Sequence, residues 1–190
     1  MNEILVDNQQ VLSWFAQCES LDKTHGLIPR KITDLSSAEY ACAESTLREF
    51  LNGTTPYKKL RSMDFFGETA GGEFFNQHML DYLGNPRWYT SCYYPSGFMG
   101  WHEDSCAAGY LIMFSYSESG QGMFKYHDRD SDTVIELPDK PGWVARSGFT
   151  GSTSANAWWH CVSSECPRWT WIYIWDTYEE QQLAISRLTA

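Results

Sequence analysis

The chain has 190 residues, which is long enough to bury its own core. Its formal net charge is −10, so on average it repels a polyanion such as DNA. Its nine Trp, eleven Tyr and ten Phe residues are concentrated between Phe65 and Tyr178, which favours an aromatic-rich β core over a helical bundle. We expect neither a membrane span, which needs roughly 18 consecutive apolar residues, nor a secretion signal, and therefore a cytoplasmic protein.

The first 85 residues are predicted to be mostly helical. The sequence Ser36-Ser37-Ala38-Glu39 has the capping-box pattern, which predicts a helix that runs to about Leu51 and ends at Asn52-Gly53. A second helix is predicted from Gly72 to Leu83, before the Gly-Asn-Pro turn that ends at Pro86. We expect these helices to pack on one sheet of the β structure that follows.

After Pro86 the pattern changes to short aromatic and β-branched runs separated by turns. Eight strands are predicted, at Arg87–Tyr94, Met99–Asp104, Gly109–Phe114, Gly122–Tyr126, Asp132–Leu137, Gly142–Arg146, Ala157–Val162 and Arg168–Trp175. Eight short strands with dense turns indicate a mainly β fold, a cupin-like jelly roll or double-stranded β-helix. A short helix is predicted from Thr177 to Leu188. We therefore predict one domain, with helical support in 1–85, the jelly-roll core in 86–176 and a C-terminal helix in 177–190.

Two kinds of metal-binding side chain lie close together in His102-Glu103-Asp104, and a second histidine, His160, follows 58 residues after the first. In an extended strand, residues two apart point to the same face, so His102 and Asp104 would face inward and Glu103 outward. By the same parity, Trp158 would share the face of His160. Two histidines and one carboxylate form the facial triad that binds iron(II) and leaves coordination positions open. We predict that these three residues bind iron(II) and form the catalytic centre.

An arginine, Arg168, follows the second histidine by eight residues. If iron(II), Asp104 and a 2-oxoglutarate dianion shared a buried pocket, their charges of +2, −1 and −2 would leave −1, which one arginine neutralises. Thr170 would share the face of Arg168, and its hydroxyl would bind the same carboxylate. Arg146 is the alternative cation; we favour Arg168 because Arg146 precedes the second histidine. Dioxygen would take the remaining position on the metal.

Three motifs occur in the order His102-Glu103-Asp104, His160 and Arg168-Trp169-Thr170. This set resembles the signature of the iron(II)/2-oxoglutarate-dependent oxygenases, near the prolyl 4-hydroxylase-like branch, and the resemblance covers roughly Tyr89 to Trp175. It implies a jelly-roll core and oxidative decarboxylation of 2-oxoglutarate to succinate, coupled to hydroxylation of a small molecule or a peptidyl side chain. Tyr94-Pro95-Ser96-Gly97 belongs to the same pattern but departs from its usual spacing to His102. Tyr94, or its neighbour Tyr93, is therefore expected to contact the cosubstrate.

Other function classes are compatible with the same fold. A non-catalytic jelly-roll module, for example one that binds carbohydrate, would use exposed Trp and Tyr residues and would not depend on His102 or Asp104. A demethylase or hydroxylase acting on nucleic acid or nucleotides would need a basic surface, against which the net charge of −10 counts. A zinc hydrolase would use the same metal ligands but would give Arg168 no role.

The prime substrate and the oligomeric state are not indicated by the sequence. Substrate recognition is assigned to the early helices and to the loops around Gly67–Gly72, Gly97 and Asp128–Asp132. The polar segment His127-Asp128-Arg129-Asp130 is interpreted as a solvated hairpin tip rather than as a second ligand cluster.

Overall fold

The computed structural model of the chain describes residues 1–25, 31–33, 37–58, 60–65, 70–104, 108–151 and 158–190. The helices in these ranges are α1 (Gln9–His25), α2 (Ala38–Ala41), α3 (Glu44–Leu51), α4 (Ala70–Leu83) and α5 (Tyr178–Leu188). The strands are β1 (Asn2–Ile4), β2 (Lys31–Thr33), β3 (Arg61–Phe65), β4 (Arg87–Tyr93), β5 (Gly97–His102), β6 (Gly109–Ser117), β7 (Gly122–Asp128), β8 (Thr133–Pro138), β9 (Gly142–Thr150), β10 (His160–Ser164) and β11 (Arg168–Trp175). Within the described part of the chain, no helix has the length and apolar character needed to cross a membrane.

The eight strands from β4 to β11 pair in the order of a jelly roll. One sheet has the order β9-β6-β11-β4, with β1 added beside β9, and the facing sheet has the order β5-β10-β7-β8. All of these pairs are antiparallel. Strand β3 pairs with both β4 and β5 and so connects the two sheets along one edge. The mainly β jelly roll predicted from the turn spacing is confirmed.

Alternation along β11 explains the two sides of the larger sheet. Trp171, Tyr173 and Trp175 face outward and pack in one cluster with the helices, whereas Ile172 and Ile174 face the interior between the sheets. Because successive strand residues point to opposite faces, the strand serves two cores at once.

The outer aromatic side chains anchor α1 and α4 on the larger sheet. Phe15 of α1 stacks on Trp143 of β9 with ring centroids 4.3 Å apart, and Phe75 of α4 meets Trp171 edge-on at 5.1 Å. Burying each of these rings stabilises the fold by about 1.5–3 kcal/mol. The helices therefore cover the outer face and leave the interior to the site.

The predicted helix ending at about Leu51 is divided between α2 and α3. Ser37, rather than Ser36, caps α2 by accepting a hydrogen bond from the backbone N–H of Tyr40. Ser36 lies outside the described residues. The backbone carbonyl of Ala43, at the division, accepts a hydrogen bond of 2.7 Å from the indole of Trp101. Ala43 has extended backbone (φ −72°, ψ 143°) and is the N-cap of α3, so the helix is interrupted at this residue.

Helix α1 was not predicted, although its sequence carries a signal. Val11, Trp14, Phe15 and Cys18 are buried at the spacing of one helical face. Strands β1 to β3 were also missed. They are three to five residues long, and they form by pairing with distant strands rather than from a local pattern.

Candidate metal centre

A β-bulge at the end of β5 orients the first histidine. On β5, Met99 lies opposite Val162 and His102 opposite His160, so three steps on β5 match two steps on β10. Met99 and His102 are three residues apart, and without a bulge their side chains would point to opposite faces of the strand. The extra residue turns both side chains into the interior, and bulges are known to redirect a side chain in this way. Gly100 lies in the bulge, where a Cβ would come within 2.9 Å of the backbone of the helix α2. The strand ends at His102, and Asp104 follows it.

His102, Asp104 and His160 come together in the interior of the jelly roll. Their ligand atoms all lie within 4.8 Å of one another. The Nε2 atom of His102 is 3.9 Å from Oδ1 of Asp104, and Nε2 of His160 is 3.5 Å from Oδ2. The two imidazoles are 2% and 4% exposed, so a bound metal would be held away from bulk water.

Backbone hydrogen bonds fix both histidines in the form that binds metals. Nδ1 of His102 donates to the carbonyl of Gly100 at 2.8 Å, and Nδ1 of His160 donates to the carbonyl of Trp158 at 3.0 Å. A carbonyl only accepts, so in each neutral ring the proton is on Nδ1 and the lone pair is on Nε2. Metal-binding histidines are held in the same way. The three residues therefore fit a divalent metal such as iron(II), with one carboxylate and two neutral nitrogens.

Aromatic side chains contact the candidate ligands. Trp158 stacks on the ring of His160 at 4.5 Å, and Phe124 stacks on the same ring at 5.6 Å. Trp159 packs on the opposite side of β10, as the strand parity predicts. The hydroxyl of Tyr89, on β4, donates to Oδ2 of Asp104 at 2.9 Å.

Removing the Tyr89 hydroxyl tests its part in positioning Asp104. We expect Tyr89→Phe to weaken iron(II) binding about 10-fold, the lower range for loss of a hydrogen bond to a metal ligand. Iron(II) titration of the metal-free protein measures the effect, and Tyr178→Phe, at an exposed tyrosine on α5, is the control. Equal affinity in the Tyr89 variant and the native protein would show that the hydroxyl does not position Asp104.

Arg168 is fully buried, and side chains of the protein already surround its guanidinium group. Nε donates to Oδ2 of Asp139 at 2.6 Å and Nη2 approaches Oδ1 at 3.5 Å, while Nη1 donates to the Thr170 hydroxyl. Asp139 follows β8, and its side chain is 2% exposed. Gly122 leaves room for this carboxylate, because a Cβ there would overlap Oδ2. The ion pair of Arg168 and Asp139 was not predicted, since the only signal at position 139 was a turn.

Arg146 lies on the same interior face, on β9. It is 4% exposed, and its Nη1 atom has no hydrogen-bond partner among the described residues. Burial lowers the pKa of Arg146 and the positive charge of Arg168 adds to that effect, whereas the negative charges of Asp139 and of Glu3, which lies opposite Arg146 on β1, oppose it. Both arginines are buried on the interior face, where Arg168 pairs with Asp139, and we refer to Arg146, Asp139 and Arg168 as the arginine cluster.

Tyr93 and Tyr94 differ in position. Tyr93 points into the interior, where its ring lies 5.7 Å from the guanidinium carbon of Arg168 and burial raises its pKa to about 12. Tyr94 follows β4, is half-buried, and accepts a hydrogen bond from the N–H of Gly97 through its backbone carbonyl. Of the two tyrosines, Tyr93 is therefore the one beside the arginine cluster.

Arg129 and Asp130 lie in the exposed turn between β7 and β8, as interpreted from the sequence, whereas His127 lies within β7 opposite Val134 and is buried. Nε2 of His127 is 2.9 Å from Oδ1 of Asp132, which also accepts from Arg48. Among the described residues, the group with the composition and spacing of a metal site is the one formed by His102, Asp104 and His160. Of the loops assigned to substrate recognition, Gly67 lies outside the described residues.

Searches of protein-family models and of curated proteins found no match to the chain. Among solved structures, a prolyl-4-hydroxylase from Pseudomonas putida is similar over 89% of this chain and 87% of its own, with 12% identity and a TM-score of 0.42. A prolyl hydroxylase from Trichoplax adhaerens, in complex with a peptide of the hypoxia inducible factor oxygen degradation domain, is similar over 93% and 96%, with 13% identity and a TM-score of 0.41. A predicted oxalate decarboxylase from Thermotoga maritima is similar over 90% and 98%, with 11% identity and a TM-score of 0.34.

Proposed function

We propose that the chain is an iron(II)- and 2-oxoglutarate-dependent dioxygenase that hydroxylates a small molecule or a peptidyl side chain. The observation that carries the proposal is the convergence of two Nε2 lone pairs and one carboxylate inside a jelly roll, with buried arginines on the same interior face. Two histidines and one carboxylate with open positions are typical of oxygenases that use iron(II).

His102, Asp104 and His160 would hold the metal. Bound iron(II) would supply the oxidation of 2-oxoglutarate to succinate and carbon dioxide by dioxygen, together with oxidation of the prime substrate. The protein's own contribution is to keep Nε2 of each histidine directed at the metal, to hold Asp104 through Tyr89, and to exclude water with aromatic side chains. One of the buried arginines would neutralise the cosubstrate's distal carboxylate.

The surface beside Asp104 suits an apolar or peptidyl substrate. Tyr57 is 45% exposed and lies edge-on to Trp159 at 5.2 Å and to Phe50 at 5.5 Å. Burial raises the pKa of Tyr57 to about 12, and the nearby charges of Glu103 and Asp104 contribute to that rise. These rings form an aromatic surface on the outer side of β10, near Glu103 and Asp104, and such surfaces bind rings, apolar side chains and peptide backbone.

Anaerobic titration of the metal-free protein with iron(II) and then 2-oxoglutarate tests the proposal. We expect the visible charge-transfer band of the iron–2-oxoglutarate chelate in the native protein and none in His102→Ala. His78→Gln, at a histidine on α4, should retain the band. Absence of the band in folded, iron-loaded native protein would refute the role of 2-oxoglutarate.

The prime substrate can be sought by measuring succinate release with a panel of amino acids, peptides and nucleosides. We expect stimulation by a small molecule or a peptide and loss of all stimulated turnover in His102→Ala. A non-catalytic binding module of the same fold would bind its ligand equally well after this substitution and would release no succinate.

A further inference from the structure

We infer that Arg146, rather than Arg168, binds the distal carboxylate of the cosubstrate, in a subsite completed by the hydroxyl of Ser115. This inference rests on the proposed function and names the residues that select the cosubstrate. It follows from the hydrogen bonds, charges and strand register of the arginine cluster.

Hydrogen bonding separates the two arginines. Each nitrogen of the Arg168 guanidinium is directed to Asp139 or Thr170, so a second carboxylate would have to displace a carboxylate that is already buried. An Asp139 side chain without its partner would be a buried unpaired charge, which is strongly unfavourable. Nη1 of Arg146, in contrast, has no partner to lose.

The charges give the same assignment. The positive charge of Arg168 is cancelled by Asp139, so the pair contributes nothing to the net charge of −1 expected for iron(II), Asp104 and 2-oxoglutarate together. Arg146 makes no ion pair within 4 Å with a described residue and supplies the balancing +1. The three residues of the cluster therefore sum to a charge of +1, and the two other charges that act on Arg146, the Met1 ammonium and the Glu3 carboxylate, are of opposite sign. A net charge of +1 matches one additional carboxylate.

Strand register connects Arg146 to the metal site through one row of interior side chains. Arg146 lies opposite Met113, Met113 opposite Ile172, and Ile172 opposite Tyr89, whose hydroxyl holds Asp104. Residues directly opposite on neighbouring strands point to the same face, so this row crosses the interior of the larger sheet from Arg146 to the metal site.

The next row supplies the second donor. Ser115 lies between Val144 and Thr170, two residues along the strands from the row of Arg146, a separation of about 7 Å. The buried hydroxyl of Ser115 has no hydrogen-bond partner among the described residues, as is true of Nη1 of Arg146. Two buried donors without partners on adjacent rows of one face are unusual in a folded protein and indicate a missing acceptor. A carboxylate would satisfy both.

Substitution of each arginine separates the two assignments. With iron-loaded protein under anaerobic conditions, we expect Arg146→Met to raise the apparent Kd for 2-oxoglutarate about 10- to 100-fold, the loss expected for a charge-assisted hydrogen bond. Iron(II) affinity should not change. Arg146→Lys should recover part of the loss, and Lys125→Met, which removes a cation paired with Glu136, is the control.

Thermal unfolding of the metal-free protein gives a second readout. A purely structural arginine would lower the Tm when replaced, whereas Arg146→Met removes a buried cation that lacks a hydrogen bond and should leave the Tm unchanged or raise it. The double variant with Asp139→Asn and Arg168→Met removes the whole ion pair. We expect its Kd for 2-oxoglutarate to lie within about 3-fold of the native value, because the ion pair has no net charge.

Each outcome decides the question. If the native protein shows the chelate band and Arg146→Met binds 2-oxoglutarate as tightly, the inference is wrong while the proposed function stands. If the double variant lost 2-oxoglutarate binding and Arg146→Met retained it, Arg168 would be the residue that binds the distal carboxylate. A native protein that binds iron(II) but gives no band would overturn the proposed function and this inference with it.

Discussion

Asp104→Ala is expected to reduce iron(II) affinity by more than about 100-fold, beyond the range seen when only a hydrogen bond to a ligand is lost, and to abolish succinate release. The substitution removes one of three ligands and the only negative charge among them. Titration of metal-free protein with iron(II), followed by the succinate assay, measures both effects.

Glu103→Ala is the matched control for this prediction. Glu103 carries the same charge as Asp104 and is its neighbour in the chain, but it does not belong to the group whose ligand atoms converge. We expect its metal affinity and turnover to remain near the native values. Equal losses in both variants would mean that the inward orientation of Asp104 is wrong.

Arg168→Met is expected to destabilise the protein by about 3–5 kcal/mol, because it leaves the carboxylate of Asp139 buried without its partner. In a domain of this length, that loss corresponds to a decrease in Tm of roughly 2–4 °C for each kcal/mol. Denaturant unfolding of the metal-free variant, compared with the native protein, measures the free energy of unfolding.

Asp139→Asn added to Arg168→Met should restore much of the lost stability, since the double variant buries no charge at either position. The comparison separates the cost of an unpaired charge from the loss of arginine packing. If Arg168→Met alone were as stable as the native protein, Asp139 would have access to water or to another cation, and the ion pair would not contribute to the fold.

The jelly roll could be predicted because its signals are local. Strand β11 runs from Arg168 to Trp175 as expected, since apolar residues on both faces and flanking turns mark it. The C-terminal helix begins after Thr177, whose side chain forms a capping box with Glu180, a pattern readable within four residues. The three metal-binding candidates followed from residue type and order, and they come together in the structure.

The rest of the site depends on contacts between distant parts of the chain. The bulge at Gly100 arises from the pairing of β5 with β10, so a parity argument within β5 alone could not detect it. Asp139 pairs with Arg168 across 29 residues, and the sequence around position 139 indicated only a turn. The sequence therefore did not indicate that Asp139 neutralises Arg168, or that Arg146 has no such partner among the described residues.

The close approach of Gly122 to Asp139 has a consequence for how this protein can diverge. Any larger residue at position 122 would collide with the carboxylate that pairs with Arg168, whereas after replacement of Asp139 by a smaller residue the same change would meet only the Ser164 hydroxyl, at 3.2 Å. Substitutions at these positions are thus epistatic, and the order in which they arise determines which of them selection tolerates. A lineage that first replaced Asp139 would gain freedom at position 122 and would leave Arg168 without its partner carboxylate.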